Sequence, residues 1–105
     1  MKVHPDWFSQ DVLNCSAYYA ARGEERLDLF LERLRATTDA IADNPELGSK
    51  KYSSEVRVVG LRHRDFHVGS TQFLAFYTLA EDGVFMRRLV GATSDIRRKL
   101  SVLAD

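Results

Sequence analysis

The first half of the chain carries the hydrophobic pattern of two amphipathic helices. Across residues 5–22 apolar side chains recur every three or four positions, so they share one face of a helix. This stripe consists of Phe8, Val12, Cys15 and Tyr19. Pro5 suits the first helical turn, where its missing N–H costs nothing, and Gly23 is a natural stop. We predict a helix from about Pro5 to Arg22, preceded by a short edge strand over residues 2–4.

A second helix is predicted from Glu24 to about Asp43. The apolar face of this helix comprises Leu27, Phe30, Leu31, Leu34 and Ile41. Asn44-Pro45 ends the helix, because proline disfavours helical conformation in the residue before it. Two antiparallel helices that each have a single apolar stripe form a hairpin that must lie on a sheet.

The second half of the chain shows the pattern of short strands. The predicted strands are Val56–Gly60, Arg64–Gly69, Gln72–Leu79 and Val84–Gly91. The third is apolar on both faces, with Phe73, Ala75, Tyr77 and Leu79 on one side and Leu74 and Phe76 on the other. A strand covered on both faces belongs in the middle of a sheet. The turn before the fourth strand predicts a hairpin, because Gly83 can adopt the positive φ that such turns require.

The last segment, Ser94 to Ala104, is predicted to form a short helix capped by Ser94. Its apolar stripe is Ile96, Leu100 and Leu103, and its cationic run is Arg97, Arg98 and Lys99. The expected fold is therefore α+β: an N-terminal helical hairpin packed on a mainly antiparallel meander sheet of about four strands, with a short C-terminal helix. Residues 1–105 are expected to form a single domain, because this length supports one core.

Composition and charge narrow the possible functions. The chain has 15 Lys and Arg and 15 Asp and Glu residues, and this balance argues against a nucleic-acid binder held by phosphate attraction. The single cysteine, Cys15, rules out an internal disulfide and indicates a reducing compartment. No apolar run approaches the roughly 18 residues of a membrane span, and the N-terminus lacks the apolar core of a signal peptide. We expect a cytoplasmic protein that does not enter a membrane.

The residue pattern contains few signals for catalysis or metal binding. The histidines lie far apart, and Cys15 has no His or Cys at ligand spacing, so neither a metal nor a cofactor is expected. Arginines in and beside the strands could converge on one sheet face, bind phosphate and act on RNA without a metal. The alternative is an ordinary solvated face with salt bridges, which the zero net charge favours. Trp7 and Tyr18 flank the first apolar stripe and would cover the helix seam or form a partner-binding patch.

The order of these elements and several local matches resemble the ParE/RelE superfamily, the toxins of bacterial type II toxin–antitoxin systems. The resembling segments are Val3-His4-Pro5, Asp11-Val12, Tyr18-Tyr19-Ala20, Leu29 to Leu34, Ile41 to Gly48, Val59 to Arg62, Phe73 to Tyr77, Arg88-Leu89-Val90 and Ser94-Asp95-Ile96. Many members have a histidine and then an arginine just before the aspartate, where Gly91 and Ser94 stand here. Ribonuclease members also carry basic and aromatic residues at the end of this region, and the tail here offers Arg97, Arg98 and Lys99 but no Tyr or His. The resemblance therefore favours the ParE type, associated with plasmid stabilisation.

This resemblance implies a growth inhibitor that binds DNA gyrase, is neutralised by a cognate antitoxin and has no catalytic residues. The implied target contacts are Arg88, Arg97, Arg98 and Lys99, and the implied antitoxin contacts are Trp7, Tyr18 and Leu31. A RelE-like, ribosome-dependent mRNA endoribonuclease that needs no metal is the alternative, with Arg62, Arg64, His67, Arg87 and Arg88 as its candidate residues. A third interpretation is a diverged, inactive member that only binds a partner. A homodimer or a heterotetramer with the antitoxin is compatible with each of these interpretations.

Overall fold

The computed structural model of the protein describes residues 1–54 and 56–103. The regular elements are β1 (Lys2–Val3), α1 (Phe8–Ala20), α2 (Glu24–Asp43), β2 (Arg62–Val68), β3 (Thr71–Ala80), β4 (Gly83–Gly91) and α3 (Ile96–Ser101). A 3₁₀ turn over Pro45–Leu47 follows α2. The helical hairpin, the mostly antiparallel sheet and the short C-terminal helix confirm the predicted α+β fold.

The four strands form one sheet in the order β1-β4-β3-β2. β3 pairs antiparallel with both β2 and β4, which confirms its predicted central position. β1 pairs parallel with β4 at the edge of the sheet, but only opposite Phe85 and Met86. The rest of the outer edge of β4 therefore lies beyond the end of β1.

Each face of the sheet is covered by a separate hydrophobic core. On one face Phe73, Ala75 and Tyr77 pack with the buried stripes of α1 and α2. On the other face Leu74 and Phe76 pack with Tyr52, Val56, Val58 and Leu61 and with Leu100 of α3. The two-sided apolar pattern of β3 thus corresponds to the helical hairpin on one face, and to α3 with the apolar residues before β2 on the other. None of the helices in the described part of the chain combines the length and the hydrophobicity that a bilayer crossing requires.

The first of the four predicted strands is wrong. Residues Val56–Gly60 form turns, because Arg57 and Gly60 have φ values of 56° and 73°, which lie outside the extended region of a strand. Val58 is nevertheless buried in the second core, whereas Val59 is 96% exposed. The apolar run therefore anchors a loop, and β2 begins only at Arg62.

Three local predictions differ from the structure. Leu31 lies outside the buried stripe of α2, because it stands about 100° around the helix from the buried Phe30. Leu79 is exposed at the hairpin end of β3 and does not belong to the first core. The side chain of Asp95, rather than that of Ser94, caps α3 by accepting a hydrogen bond from the Arg98 N–H.

The predicted helices are also longer than the observed ones at some ends. α1 occupies Phe8–Ala20 within the predicted 5–22 range, whereas the predicted bounds of α2 are confirmed. α3 begins at Ile96 and ends at Ser101, where the prediction ran from Ser94 to Ala104. Ala104 lies outside the described residues.

Candidate functional site

A buried ion pair joins α1 to β4. Asp11 and Arg88 are 9% and 8% exposed, although both carry charged side chains. Arg88 Nη2 lies 2.6 Å from Asp11 Oδ1, and Arg88 Nε donates to Asp11 Oδ2 at 3.0 Å. Such a two-bond, charge-assisted pair is stronger and more geometrically specific than a single hydrogen bond. The pair connects residues that are far apart in the sequence but adjacent in the fold.

Asp11 also accepts a hydrogen bond from the edge of the sheet. The Leu89 N–H donates to Asp11 Oδ2 at 2.9 Å, on the part of β4 that lies beyond β1. The carboxylate thus receives one backbone and two guanidinium hydrogen bonds, which offset the cost of burying its charge. Its place in the helix follows from the sequence, since Asp11 lies between Phe8 and Cys15 on the buried side of α1.

The buried position and the ion pair of Asp11 were not predicted from the sequence. The sequence did contain an indication of this pair. An acidic residue at the margin of an apolar helical stripe is partly buried and therefore needs a partner of opposite charge. Arg88, flanked by the apolar Leu89 and Val90 in β4, carries the matching signal. A β-bulge at Arg87 of β4 places Arg88 opposite Phe76 and Met86 opposite Tyr77, a register that the sequence pattern did not reveal.

Arg88 extends this connection to the C-terminal helix. Its remaining nitrogen, Nη1, donates to the backbone carbonyl of Lys99 in α3 at 2.8 Å. The centre of the guanidinium lies 5.0 Å from the Trp7 ring, so the indole face covers the cation. One arginine therefore links α1, β4 and α3. We call Asp11, Arg88 and the Lys99 carbonyl the buried clamp.

The side chains of the α3 cationic run lie at the surface above the buried clamp. Arg97, Arg98 and Lys99 are exposed, and Lys99 Nζ donates to Ser94 Oγ at 3.3 Å. Arg98 and Lys99 border an open groove of about 530 Å³ that Arg88, Ser94, Asp95 and Val102 also line. Arg97 lies instead 5.8 Å from the Tyr52 ring. Of the four predicted target contacts, Arg88, Arg98 and Lys99 thus meet at one groove, and Arg88 is buried beneath it.

A second groove, of about 410 Å³, lies between α1 and the end of β4. Its apolar lining includes Cys15, Phe73 and Leu89, and its polar lining includes Asn14 and Lys99. Burial, with a smaller contribution from Asp11, raises the pKa of the Cys15 thiol to about 11. The thiol therefore stays protonated and unreactive near neutral pH, as expected for a small buried hydrophobe.

Comparison with protein-family models identifies the family of this chain. The family model described as ParE toxin of type II toxin-antitoxin system, parDE, matches residues 6–95. The chain belongs to the ParE toxin family. It is therefore a toxin of a type II toxin–antitoxin system, and this membership implies an antitoxin partner. No curated protein matches the sequence significantly.

The residues that the family model matches include only part of the candidate site of this ParE-family toxin. Asp11 and Arg88 both fall inside the matched range, together with β2, β3 and β4, whereas β1 precedes it. The cationic run of α3 begins two residues later, at Arg97. The buried clamp is thus part of the family-matched framework, whereas the exposed cations that it supports lie beyond the matched residues.

The residues predicted for the ribonuclease alternative differ in their exposure and in their contacts. Arg62 Nη1 donates to the carbonyls of Glu46 and Gly48, at 2.6 and 3.1 Å, and so ties the loop after α2 to β2. Arg87 Nε donates to Thr78 Oγ1 at 2.9 Å. Arg64 is partly exposed, and His67 is exposed. Three of the five predicted residues, including Arg88, therefore have guanidinium groups that bond to the protein itself.

The predicted antitoxin contacts fall into two locations. Tyr18 is 53% exposed near the end of α1, and Arg22 stacks over its ring at 3.4 Å. Leu31 is 41% exposed on the neighbouring helix of the hairpin. Trp7 lies at the other end of α1, about 16 Å from Tyr18 along the helix axis, and contacts Arg88. Tyr18 and Leu31 therefore offer exposed apolar surface, whereas Trp7 supports the buried clamp.

A buried histidine was not among the predicted site residues. His63 is 8% exposed, its Nε2 lies 3.3 Å from Asp65 Oδ1, and its Nδ1 has no hydrogen-bond partner among the described residues. Burial lowers the pKa of His63, and Asp65 opposes this shift. The ring packs between those of Tyr52 and Phe76 in the second core. In residues 1–54 and 56–103, no group of three or more His, Cys, Asp or Glu side chains is arranged to hold a metal.

Proposed function

We propose that this ParE-family toxin inhibits DNA gyrase by binding it through the exposed cationic surface of α3. The observation that carries the proposal is the groove where Arg98 and Lys99 project over the buried Arg88. This arrangement presents positive charge on a support that is rigid because it is buried and hydrogen-bonded. A localised cationic surface on a chain of zero net charge suits a protein target with a complementary acidic patch.

Binding without catalysis is supported by what the strand arginines do. A metal-independent nuclease needs cations at the scissile phosphate and a group that moves protons. Here Arg62 and Arg87 bond to the protein's own carbonyl and hydroxyl oxygens, and Arg88 is paired with Asp11. These contacts favour an inhibitor over the ribonuclease alternative.

The proposal is tested by adding purified, antitoxin-free toxin to gyrase in a supercoiling and DNA-cleavage assay. We expect supercoiling activity to fall in proportion to the toxin added, with cleaved DNA accumulating. Unchanged gyrase activity with toxin that is folded by circular dichroism would contradict the proposal. Cleavage of mRNA in a ribosome-containing translation reaction would then favour the ribonuclease alternative.

We further propose that the antitoxin covers the outer face of the helical hairpin. Tyr18 on α1 and Leu31 on α2 are both substantially exposed. Leu13, five residues before Tyr18 on α1, is exposed as well. Exposed apolar side chains on two adjacent helices suit the apolar stripe of an amphipathic partner segment. The antitoxin would thereby bury hydrophobic surface that the toxin alone leaves in water.

Replacing Leu31 with aspartate is expected to weaken antitoxin binding by roughly tenfold to a hundredfold, because it places a charge in an apolar interface. Isothermal titration calorimetry with the cognate antitoxin measures this effect. Val59→Asp is the matched control, since it makes the same kind of change at an exposed residue outside the hairpin. Equal affinities of the two variants would show that the antitoxin does not contact Leu31.

A further inference from the structure

We infer that Asp11 is a positioning residue that, through Arg88, holds α3 where its cations reach the target. This inference rests on the proposed role of α3 as the target-binding surface. Asp11 itself is buried and lies on α1, so it acts through contacts that reach α3 and not through the target. The route has two steps, which are the ion pair and the bond to the Lys99 carbonyl.

The first step fixes the orientation of the guanidinium. Asp11 occupies Arg88 Nε and Nη2, which is one edge of the planar group. Two parallel hydrogen bonds prevent rotation of the plane, as a single contact would not. The Leu89 N–H holds the carboxylate in turn, so the carboxylate is fixed to the edge of β4. The direction of Nη1 is therefore set by Asp11.

The second step anchors a helix that is too short to be stable by itself. α3 spans only Ile96–Ser101, and isolated helices of that length do not persist in water. The end of a helix leaves its last carbonyls without the usual intrahelical partners. The Leu100 carbonyl accepts from the Leu103 N–H, and Arg88 Nη1 satisfies the carbonyl of Lys99. A cation at this position also interacts favourably with the C-terminal end of the helix dipole. Arg88 thus caps α3 from inside the protein.

The clamp controls the target surface because the anchored carbonyl belongs to the cationic run itself. Lys99 supplies both the carbonyl that Arg88 holds and an exposed ammonium at the groove. Arg98 precedes it in the same helical turn. α3 is also held by Leu100 and Ile96, which pack in the second core, and by the Asp95 cap at its start. The clamp adds an anchor at the C-terminal turn, and this anchor sets where Arg98 and Lys99 project.

Arg88→Lys tests this inference, because lysine keeps the charge but cannot form the fork that reaches two partners at once. We expect amide hydrogen exchange within α3 to accelerate about tenfold, which corresponds to about 1.4 kcal/mol of lost protection. Growth arrest in cells should fall by tenfold or more, while antitoxin affinity stays within threefold of wild type. Arg33→Lys is the matched control, since it alters another arginine–carbonyl contact, from Arg33 Nη1 to His67 at 3.0 Å.

Two outcomes would overturn the inference. One is exchange of the α3 amides at the wild-type rate in folded Arg88→Lys, and the other is faster exchange with full growth arrest. If Arg88→Lys does not fold, Asp11→Asn provides the same readouts with the shape of the side chain preserved. Because exchange and growth arrest do not depend on which target is bound, they still test the clamp if the wild-type toxin leaves gyrase unaffected.

Discussion

Asp11→Ala is expected to lower the free energy of unfolding by about 3–5 kcal/mol, because it leaves the buried Arg88 without a counter-charge. The substitution also removes the acceptor of the Leu89 N–H. A buried donor without a partner adds a desolvation cost of about 1–3 kcal/mol unless water reaches it, and the two effects overlap at one site. Urea denaturation at pH 7, followed by circular dichroism, measures the loss.

The matched control is Asp82→Ala. Asp82 pairs with Lys2 at 3.3 Å, but both side chains are about two-thirds exposed, and exposed ion pairs contribute little to stability. If Asp11→Ala cost no more stability than Asp82→Ala, the buried pair would not have the energetic role assigned to it.

A double substitution separates the charge from the packing. Asp11→Leu combined with Arg88→Met replaces the pair with apolar side chains, a change that is often neutral or stabilising for buried ion pairs. We expect this variant to recover most of the stability lost in Asp11→Ala. It should nevertheless lack the bond to the Lys99 carbonyl, so stable folding with faster exchange in α3 would separate stability from positioning.

The second large effect is expected from reversing the charges on α3. Arg98→Glu combined with Lys99→Glu should weaken gyrase inhibition by about a hundredfold or more, because like charges would then face the acidic patch proposed for the target. Both side chains are exposed, so the thermal midpoint should change little. A titration of toxin in the supercoiling assay gives the shift in the half-inhibitory concentration.

Lys50→Glu combined with Lys51→Glu is the control for this variant, because it changes the net charge equally at another exposed segment. If the control abolishes inhibition and the α3 variant does not, the target surface lies near the 50–51 loop and the α3 proposal is wrong. Deleting the chain after Ser94 would be a poorer test. It removes Leu100, which is completely buried in the second core, and would therefore confound lost binding with lost folding.

Much of the fold was predictable because it depends on local periodicity. The stripe from Phe8 to Tyr19 and the two-sided apolar strand at Phe73–Tyr77 each appear within one element, at the spacings that helices and strands impose. The error at Val56–Gly60 shows the limit of such patterns. A short apolar run predicts burial of its side chains but leaves the backbone conformation open, and here positive φ values at Arg57 and Gly60 make it a turn.

The candidate site was only partly predictable. The exposed cations of α3 are visible as the run Arg97, Arg98 and Lys99, and the predictions for target and antitoxin contacts remain predictions. The side chain that organises this surface, Asp11, was absent from the predicted site, and Arg88 was predicted to bind the target although it is buried against Asp11. No spacing rule connects these two residues, because their contact depends on how distant elements pack.

The sequence by itself determined the helical hairpin, the central position of β3 and the cationic character of the C-terminal helix, because each follows from the order of side chains within one segment. Only the tertiary structure decided that Asp11 meets Arg88 and that Arg88 reaches the Lys99 carbonyl. That meeting requires the bulge in β4, the short β1 that leaves the Leu89 N–H open, and the packing of α1 on the sheet. The position of a charged residue along the chain is a property of the local sequence. The burial that strengthens the attraction between two opposite charges arises only when separate elements pack together.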